Sequence, residues 1–341
     1  MTFHPKPLSA QTIVITGASS GIGLATARRA ALAGARVILV ARNQAVLETI
    51  VRDLNRKGAA ASFVAGDIAE PDTSRQAARM AFEQSGGIDS WVNAAAAGIY
   101  ACLRDTPIED HRRLFDVGYF GMVQASQIAV DAMRDRGGTL INIGSTLSER
   151  AVAIQGAYSA MKHAVKGYTD ALRTELIADR AAVQVTLIKP HGIDTPWPEH
   201  ARNLTGRPAR IPPIVYDPAL VADAICFAAT HRRRELTVGG VGSLAVWADR
   251  IWPAGVDRVI ALAAGPTQTT TTPPAPGASD NLYAARADGR ILSNQNIDAR
   301  RSSMALSVQK LPRGSLFAVA ALAVALGIGW TRKNAAATSS G

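Results

Sequence analysis

The sequence predicts a doubly wound α/β fold, a parallel sheet of about seven strands with helices on both faces. Three observations carry that prediction. Short apolar runs alternate with longer helical patterns over the first 260 or so residues; several of the runs are nearly all apolar; and a glycine-rich turn separates the first run from the first helical pattern. Strands covered on both faces read as continuous apolar runs, which is what parallel sheets require. In chain order the strands fall at TIVIT (12–16), RVILV (36–40), SFVAG (62–66), SWVNA (90–94), TLINIG (139–144), VQVTLI (183–188) and ELTV (235–238). Between them the patterns predict helices over 21–33, 43–57, 71–85, 107–134, 156–180 and 217–231.

Composition narrows the function classes. With 48% hydrophobic and 19% charged residues, most of the 341-residue chain has a core to fold around. Two cysteines, Cys102 and Cys226, are too few and too separated for a disulfide framework and offer no zinc spacing, which points to a reducing compartment and no metal. The N-terminal MTFHPKPLSA has no apolar h-region, so export is not expected and a cytoplasmic catalytic domain is. A net charge of +10 suggests nucleic acid, yet from Gly265 onward eight Lys/Arg face three Asp, so half of the excess lies in the tail. Aromatic residues at 5% leave few stacking platforms for single strands, and nucleic acid is excluded. The run Arg232, Arg233 and Arg234 is expected to close the helix before it, where cations offset the negative end of the dipole.

Three regions are expected: a catalytic domain at 1–262, a flexible linker at 263–312 and a membrane anchor at 313–333. GPTQTTTTPPAPGASD has little to bury and reads as a disordered linker, with DNLY at 280–283 as a segment able to dock back. GSLFAVAALAVALGIGW at 314–330 is uncharged between basic flanks. As a helix it would be roughly 26 Å long, at the short edge of what spans a bilayer. Its apolar residues run all round the helix, which favours a C-terminal hydrophobic anchor over a surface-lying helix.

The turn after the first strand is TGASSGIG at 16–23, opening directly onto a helix. Glycines there allow a tight turn and let backbone N–H groups approach a pyrophosphate at the helix N-terminus. With this motif the chain resembles the short-chain dehydrogenase/reductase family, whose signature is TGxxxGxG, over residues 11 to about 240. The resemblance implies a Rossmann fold and a nicotinamide cofactor held by Gly17, Ser19, Ser20, Gly21, Ile22 and Gly23. At the end of the second strand, VILVARN puts Ala41 where an NAD-preferring relative carries an acid and Arg42 beside it. The guanidinium fork matches phosphate geometry, so NADP(H) is favoured over NAD(H). Asp67 looks like the family aspartate that meets the adenine ring, with Ile68 next to it. Asn93 follows the fourth strand, but Asn93-Ala94-Ala95-Ala96 stands where the family has Asn-Asn-Ala-Gly.

In AYSAMKHAV at 157–165, Tyr158 and Lys162 lie four residues apart and share one helix face. An ammonium about 5 Å from a phenol, at an effective dielectric near 20, contributes about 3 kcal/mol. That lowers a phenol pKa by about two, toward the range of a general acid or base. Ser145 ends the strand TLINIG, 13 residues before Tyr158, as the family serine does. The resemblance implies Tyr158 as proton donor, Ser145 as the hydroxyl that orients the substrate carbonyl, and Lys162 as the group that lowers the tyrosine pKa and binds the nicotinamide ribose. Ser148 is a stand-in for Ser145 at the wrong spacing. In IKPHGIDTPW, Pro190, Ile193 and Thr195 match the segment that meets the cofactor, and His191 is either a second acid or a packed loop histidine. The run 196–218, with Trp197, is expected to form a substrate lid. In FDVGYFGMV, Gly118 stands where relatives commonly show an asparagine that bends a helix and positions a water; glycine keeps the bend and loses the side chain.

These readings predict an NADP(H)-dependent oxidoreductase acting on a small-molecule carbonyl or secondary alcohol, hydrophobic if the tail meets a membrane. The family commonly forms homo-oligomers. The rival reading is a dinucleotide-binding sensor or scaffold with relaxed catalysis at Ala94–Ala96 and Gly118; an NAD-dependent alcohol oxidant is disfavoured by Arg42.

Overall fold

The computed structural model describes residues 3–272, 279–287 and 289–312. Seven strands build one parallel sheet: β1 (Thr12–Thr16), β2 (Arg36–Ala41), β3 (Ala60–Ala65), β4 (Ser90–Asn93), β6 (Gly138–Ile143), β7 (Val183–Pro190) and β9 (Glu235–Val238). Two further strands, β5 (Ile99–Tyr100) and β8 (Arg202–Asn203), pair with each other beyond the sheet edge. The order in the sheet is β3-β2-β1-β4-β6-β7-β9. β1 pairs with β2 on one side and β4 on the other, so the chain reverses its direction of winding there. Loops leaving the carboxyl ends of β1 and β4 diverge at such a switch point and open a crevice for a ligand.

Alternating side chains feed two apolar layers. Val14, Ile38, Val40 and Leu140 point to one face with Trp91, Met161 and Val165; Ile13, Ile15, Val37, Leu39 and Ile141 point to the other with Leu24, Ile50 and Ile225. The helices α1 (Gly21–Leu32), α2 (Gln44–Arg56), α3 (Pro71–Ser85), α4 (Ile108–Phe115), α5 (Gly121–Met133) and α6 (Gly156–Ala178) follow their strands, then α7 (Trp197–His200) and α8 (Pro218–Thr230). Their ends have local causes. The Asn43 side chain accepts the Val46 N–H at 3.1 Å to start α2, and Asp217 does the same for Ala219 at 2.8 Å before Pro218 opens α8. Gly86, at φ 73°, closes α3.

The expected single helix over 107–134 is instead α4 and α5 joined by a π-helical turn at Asp116–Phe120. Gly118 sits inside that turn, and a Cβ there would lie 2.7 Å from Met161 Sδ. Met161 thus fills the volume that an asparagine side chain would need. Gly118→Asn is therefore expected to cost about 1–3 kcal/mol in chemical denaturation. Pairing it with Met161→Ala should cost less than the sum of the two single changes; strictly additive losses would show that the two side chains do not compete for space.

Beyond β9 the chain continues into two helices the pattern did not anticipate, α9 (Gly240–Ile251) and α10 (Pro253–Gln268). α10 runs across the boundary expected near 262, so the folded part extends past it. The flexible linker expected at 263–312 is likewise corrected for its described residues. Leu282 is fully buried, Leu306 is buried under β9, and α11 (Met304–Lys310) closes the segment. Burying those two leucines, with backbone pairing of Arg300 to Tyr216, holds the segment against the domain and contributes part of what its ordering costs. The arginine run is corrected too: Arg233 donates to the carbonyls of Gln309, Lys310 and Leu311, so it caps α11 rather than α8. The candidate anchor at 314–330 lies outside the described residues. Among the described residues, no helix is long and apolar enough to cross a membrane.

Candidate active site

A cavity of about 380 Å³ opens at the carboxyl edge of the sheet, over the switch point. Its floor is the glycine turn. Gly17 and Gly21 hold φ of 68° and 51°, which favour glycine. A Cβ on Gly17 would stand 2.7 Å from the backbone of Ala95, and one on Gly23 would stand 2.2 Å from the Gly17 carbonyl. The Thr16 hydroxyl accepts the N–H groups of Ala94 and Ala95, each at 3.1 Å, and so locks the loop after β4 against the turn. Gly17, Ser19, Ser20, Gly21, Ile22 and Gly23 all line the cavity, with their backbone at the N-terminus of α1.

Arg42, just after β2, and Asp67 with Ile68, after β3, line one end of the cavity, where the sequence reading expects the adenosine. Burial pulls the Arg42 pKa down, against the opposing charge of Asp67. Burial would raise the Asp67 carboxyl, but the Ala69 N–H at 3.0 Å and the Arg113 guanidinium outweigh it and hold it below the usual range. Asn93 is placed differently. Its amide donates to Ser126 Oγ and Asn142 Oδ1, both at 2.9 Å, and its carbonyl accepts from Trp91 at 2.9 Å. Ala94, Ala95 and Ala96 line the cavity instead, while Asn93 ties β4 to β6 and α5.

At the other end Ser145, Tyr158 and Lys162 converge. The Lys162 ammonium donates to the Ile143 carbonyl at 2.6 Å and lies 5.6 Å from the centre of the Tyr158 ring. Burial lowers Lys162 to about 8. It raises Tyr158 above the ordinary phenol range, against a hydrogen bond from Ser145. Burial thus moves the phenol in the direction opposite to the one that its spacing to Lys162 predicts. Ser148 is no stand-in, because its hydroxyl accepts the Ser145 N–H at 3.0 Å in a reciprocal cap with Ser145 Oγ and Leu147 N–H. His191 lines the cavity with its Nδ1 3.2 Å from the Thr146 hydroxyl, and burial holds its pKa down, so it is a neutral, packed loop histidine. Pro190, Ile193 and Thr195 line the wall beside Gly21.

This end of the cavity is lined by Trp197, from the expected lid, and by two residues that the sequence did not single out, Tyr100 and Gln268. Tyr100 is buried beside Tyr158, and Trp197 stacks at a tilt 4.8 Å from the Tyr158 ring. Gln268, from α10, donates to the Ala153 carbonyl and accepts from Gln155 at 2.6 Å, closing the cavity from below. Tyr100 belongs to the two-residue β5 that pairs with β8 in the predicted lid, and that pairing leaves no period in the sequence. The lid at 196–218 is pinned at Ile193↔Tyr216 and Ala209↔Thr269.

The chemistry of the donor set fits a nicotinamide dinucleotide: a tight glycine turn with no room for a Cβ at Gly17 or Gly23, a basic group at one end and a phenol–hydroxyl–ammonium trio at the other. Among the described residues, no group of three His, Cys, Asp or Glu could hold a metal.

Comparison with known proteins agrees with this geometry. The family model "short chain dehydrogenase" matches residues 11–204. An uncharacterized oxidoreductase, YxnA, of Bacillus subtilis is 38% identical over 82% of this chain and 80% of its own. Dehydrogenase/reductase SDR family member 7B of Danio rerio is 30% identical over 74% of this chain and 84% of its own. Among solved structures, L-sorbose reductase from Gluconobacter frateurii, complexed with NADPH and L-sorbose, aligns with a TM-score of 0.59 at 25% identity, covering 70% of this chain and 97% of that one.

Proposed function

Since this chain belongs to the short-chain dehydrogenase family and is an oxidoreductase by that membership, we propose that it uses NADP(H) to interconvert a hydrophobic ketone or aldehyde and its alcohol. The observation that carries the reading is one cavity reaching from the Arg42 guanidinium to the Ser145–Tyr158 pair. That L-sorbose reductase was solved with NADPH supports the choice of cofactor.

The nicotinamide, when bound, supplies or takes up the hydride. Ser145 holds the substrate oxygen by a hydrogen bond and orients the carbonyl. The Tyr158 hydroxyl gives its proton to that same oxygen as charge gathers there. Raised by burial, Tyr158 stays protonated at neutral pH, the state that reduction needs. Lys162, held on the Ile143 carbonyl, stabilises the phenolate left behind. Trp197 packs on the phenol, and Tyr100, Leu147, Val152 and Ile211 line the same cavity, an apolar lining that favours an apolar carbonyl.

Titrating the protein with NADPH and NADH tests the cofactor half of the reading. NADPH is expected to bind more tightly, and Arg42→Ala should weaken NADPH by about 10–100-fold while leaving NADH within a few-fold, since a charge-assisted bond to phosphate is worth about 1.5–3 kcal/mol. Equal affinity for both cofactors in the unmodified protein would refute it.

A further inference from the structure

A strap from the C-terminal segment crosses the adenosine end of the cavity. It is fastened at each feature that reads as a cofactor contact. The Arg290 carbonyl accepts the Gly21 N–H at 2.9 Å, at the start of α1. The Arg286 carbonyl accepts from Asn43 Nδ2 at 3.1 Å, and the Asn281 carbonyl accepts from Arg42 Nη2. Arg113, which pairs with Asp67, also donates through Nε to the Leu282 carbonyl at 3.0 Å, so one guanidinium joins the adenine-side aspartate to the strap. Leu282 anchors this stretch in the core, and the Asn281 N–H donates to the His200 carbonyl at 2.7 Å.

Two polar atoms at this junction are buried without a hydrogen-bond partner among the described residues: Arg42 Nη1 and Asn281 Oδ1. A buried polar group left unpaired is costly, so such a pair marks a place that lacks one acceptor and one donor. A phosphorylated adenosine ribose offers both, phosphate oxygens to the guanidinium and a hydroxyl or the adenine amine to the amide oxygen. Asn281 and Arg286 themselves line the cavity with Arg42, and Arg286 Nη1 is steadied by Ser279 Oγ at 2.7 Å. The strap thus brings a second guanidinium to the wall that carries the first.

We propose that this strap is a wall of the cofactor site, in which Arg286 joins Arg42 in holding the 2′-phosphate and Asn281 accepts a hydrogen bond from the adenosine moiety. The inference rests on the NADP(H) reading above and adds residues from outside the segment, 11–204, that matches the family. A cofactor lying against the strap would also shield it from protease.

The test is fluorescence titration of the full chain and of Arg286→Ala, Asn281→Ala and Arg42→Ala with NADPH and NADH, alongside trypsin digestion with and without cofactor. Arg286→Ala is expected to weaken NADPH about tenfold or more and NADH less than threefold, because only the phosphate contact is lost. Asn281→Ala should weaken both about equally, and NADPH should slow cleavage after Arg286. If the unmodified protein prefers NADPH and Arg42→Ala removes that preference while Arg286→Ala leaves it intact, the strap proposal is overturned and the cofactor reading stands. If the unmodified protein shows no preference, the cofactor reading fails. Asn281→Ala and trypsin protection by NADH then decide whether the strap is a wall of the site, and no effect in either overturns that as well.

Discussion

Tyr158→Phe is expected to lower NADPH-dependent carbonyl reduction by roughly 10²–10⁴-fold, the range that a positioned general acid contributes, while leaving NADPH affinity within a few-fold. The separation of the two readouts follows from the geometry. The phenol sits between Ser145 and Trp197 at the substrate end, and the adenosine end is built by Arg42, Asp67 and the glycine turn. Phenylalanine keeps the ring against Trp197 and removes only the proton and its hydrogen bond. A panel of apolar ketones and aldehydes, followed at 340 nm in both directions, reads the effect. Undiminished turnover in the variant would remove Tyr158 from the mechanism, whereas no turnover in either protein across the panel would favour the sensor or scaffold reading.

Lys162 makes the second large prediction, and it has opposite signs for activity and stability. Lys162 is 3% exposed, and burial depresses its ammonium from the ordinary 10.5 to about 8. A lysine depressed in the folded state binds its proton more tightly when unfolded. Below pH 8 the fold therefore carries the full cost of a buried charge, about 3 kcal/mol, and that cost fades as pH rises from about 8 toward 10.5. Lys162→Met removes the cost and also the bond to the Ile143 carbonyl, worth about 1–2 kcal/mol. At pH 7 the variant without added cofactor is thus expected to be more stable by about 1–2 kcal/mol and nearly inactive, with the stability gain gone by about pH 10. The unmodified enzyme should lose reductive kcat/KM as pH rises through about 8, since a neutral Lys162 no longer stabilises the phenolate. Denaturant melts at pH 7 and 10, together with the pH–rate profile, check both; a Lys162→Met variant that is less stable at pH 7 would show that the buried charge is not a burden to the fold.

Much of the site was legible because its chemistry is carried by short local patterns. TGASSGIG, Arg42, Asp67, Ser145 and Thr195 follow strands and Tyr158 opens α6 with Lys162 one turn on, and the carboxyl edge of a parallel sheet gathers such positions without any side-chain detail. What was misread depended on packing. The side chain of Asn93 follows β4 like the others, yet Ser126, Asn142 and Trp91 claim it. The direction of the Tyr158 shift was misjudged because spacing reveals the distance to Lys162 and nothing of the desolvation around both. The strap was read as linker because its composition is polar and its two anchoring leucines stand 24 positions apart, too far to make a periodic signal.

The sequence by itself determined the parallel sheet, from periodicity along short windows, and its resemblance to the short-chain dehydrogenase family marked the glycine turn and the Ser145–Tyr158–Lys162 trio, which the carboxyl edge of that sheet brings to one cavity. Only the tertiary structure decided the π-helical turn at Gly118 packed on Met161, the meeting of Trp197 with the phenol in a cavity shared with Tyr100 and Gln268, and the crossing of Asn281, Arg286 and Arg290 over Arg42 and Gly21. Those contacts join residues up to 270 positions apart, and a pairing at that separation is selected by which buried surfaces and hydrogen bonds fit in three dimensions, a quantity that no local window of the chain contains.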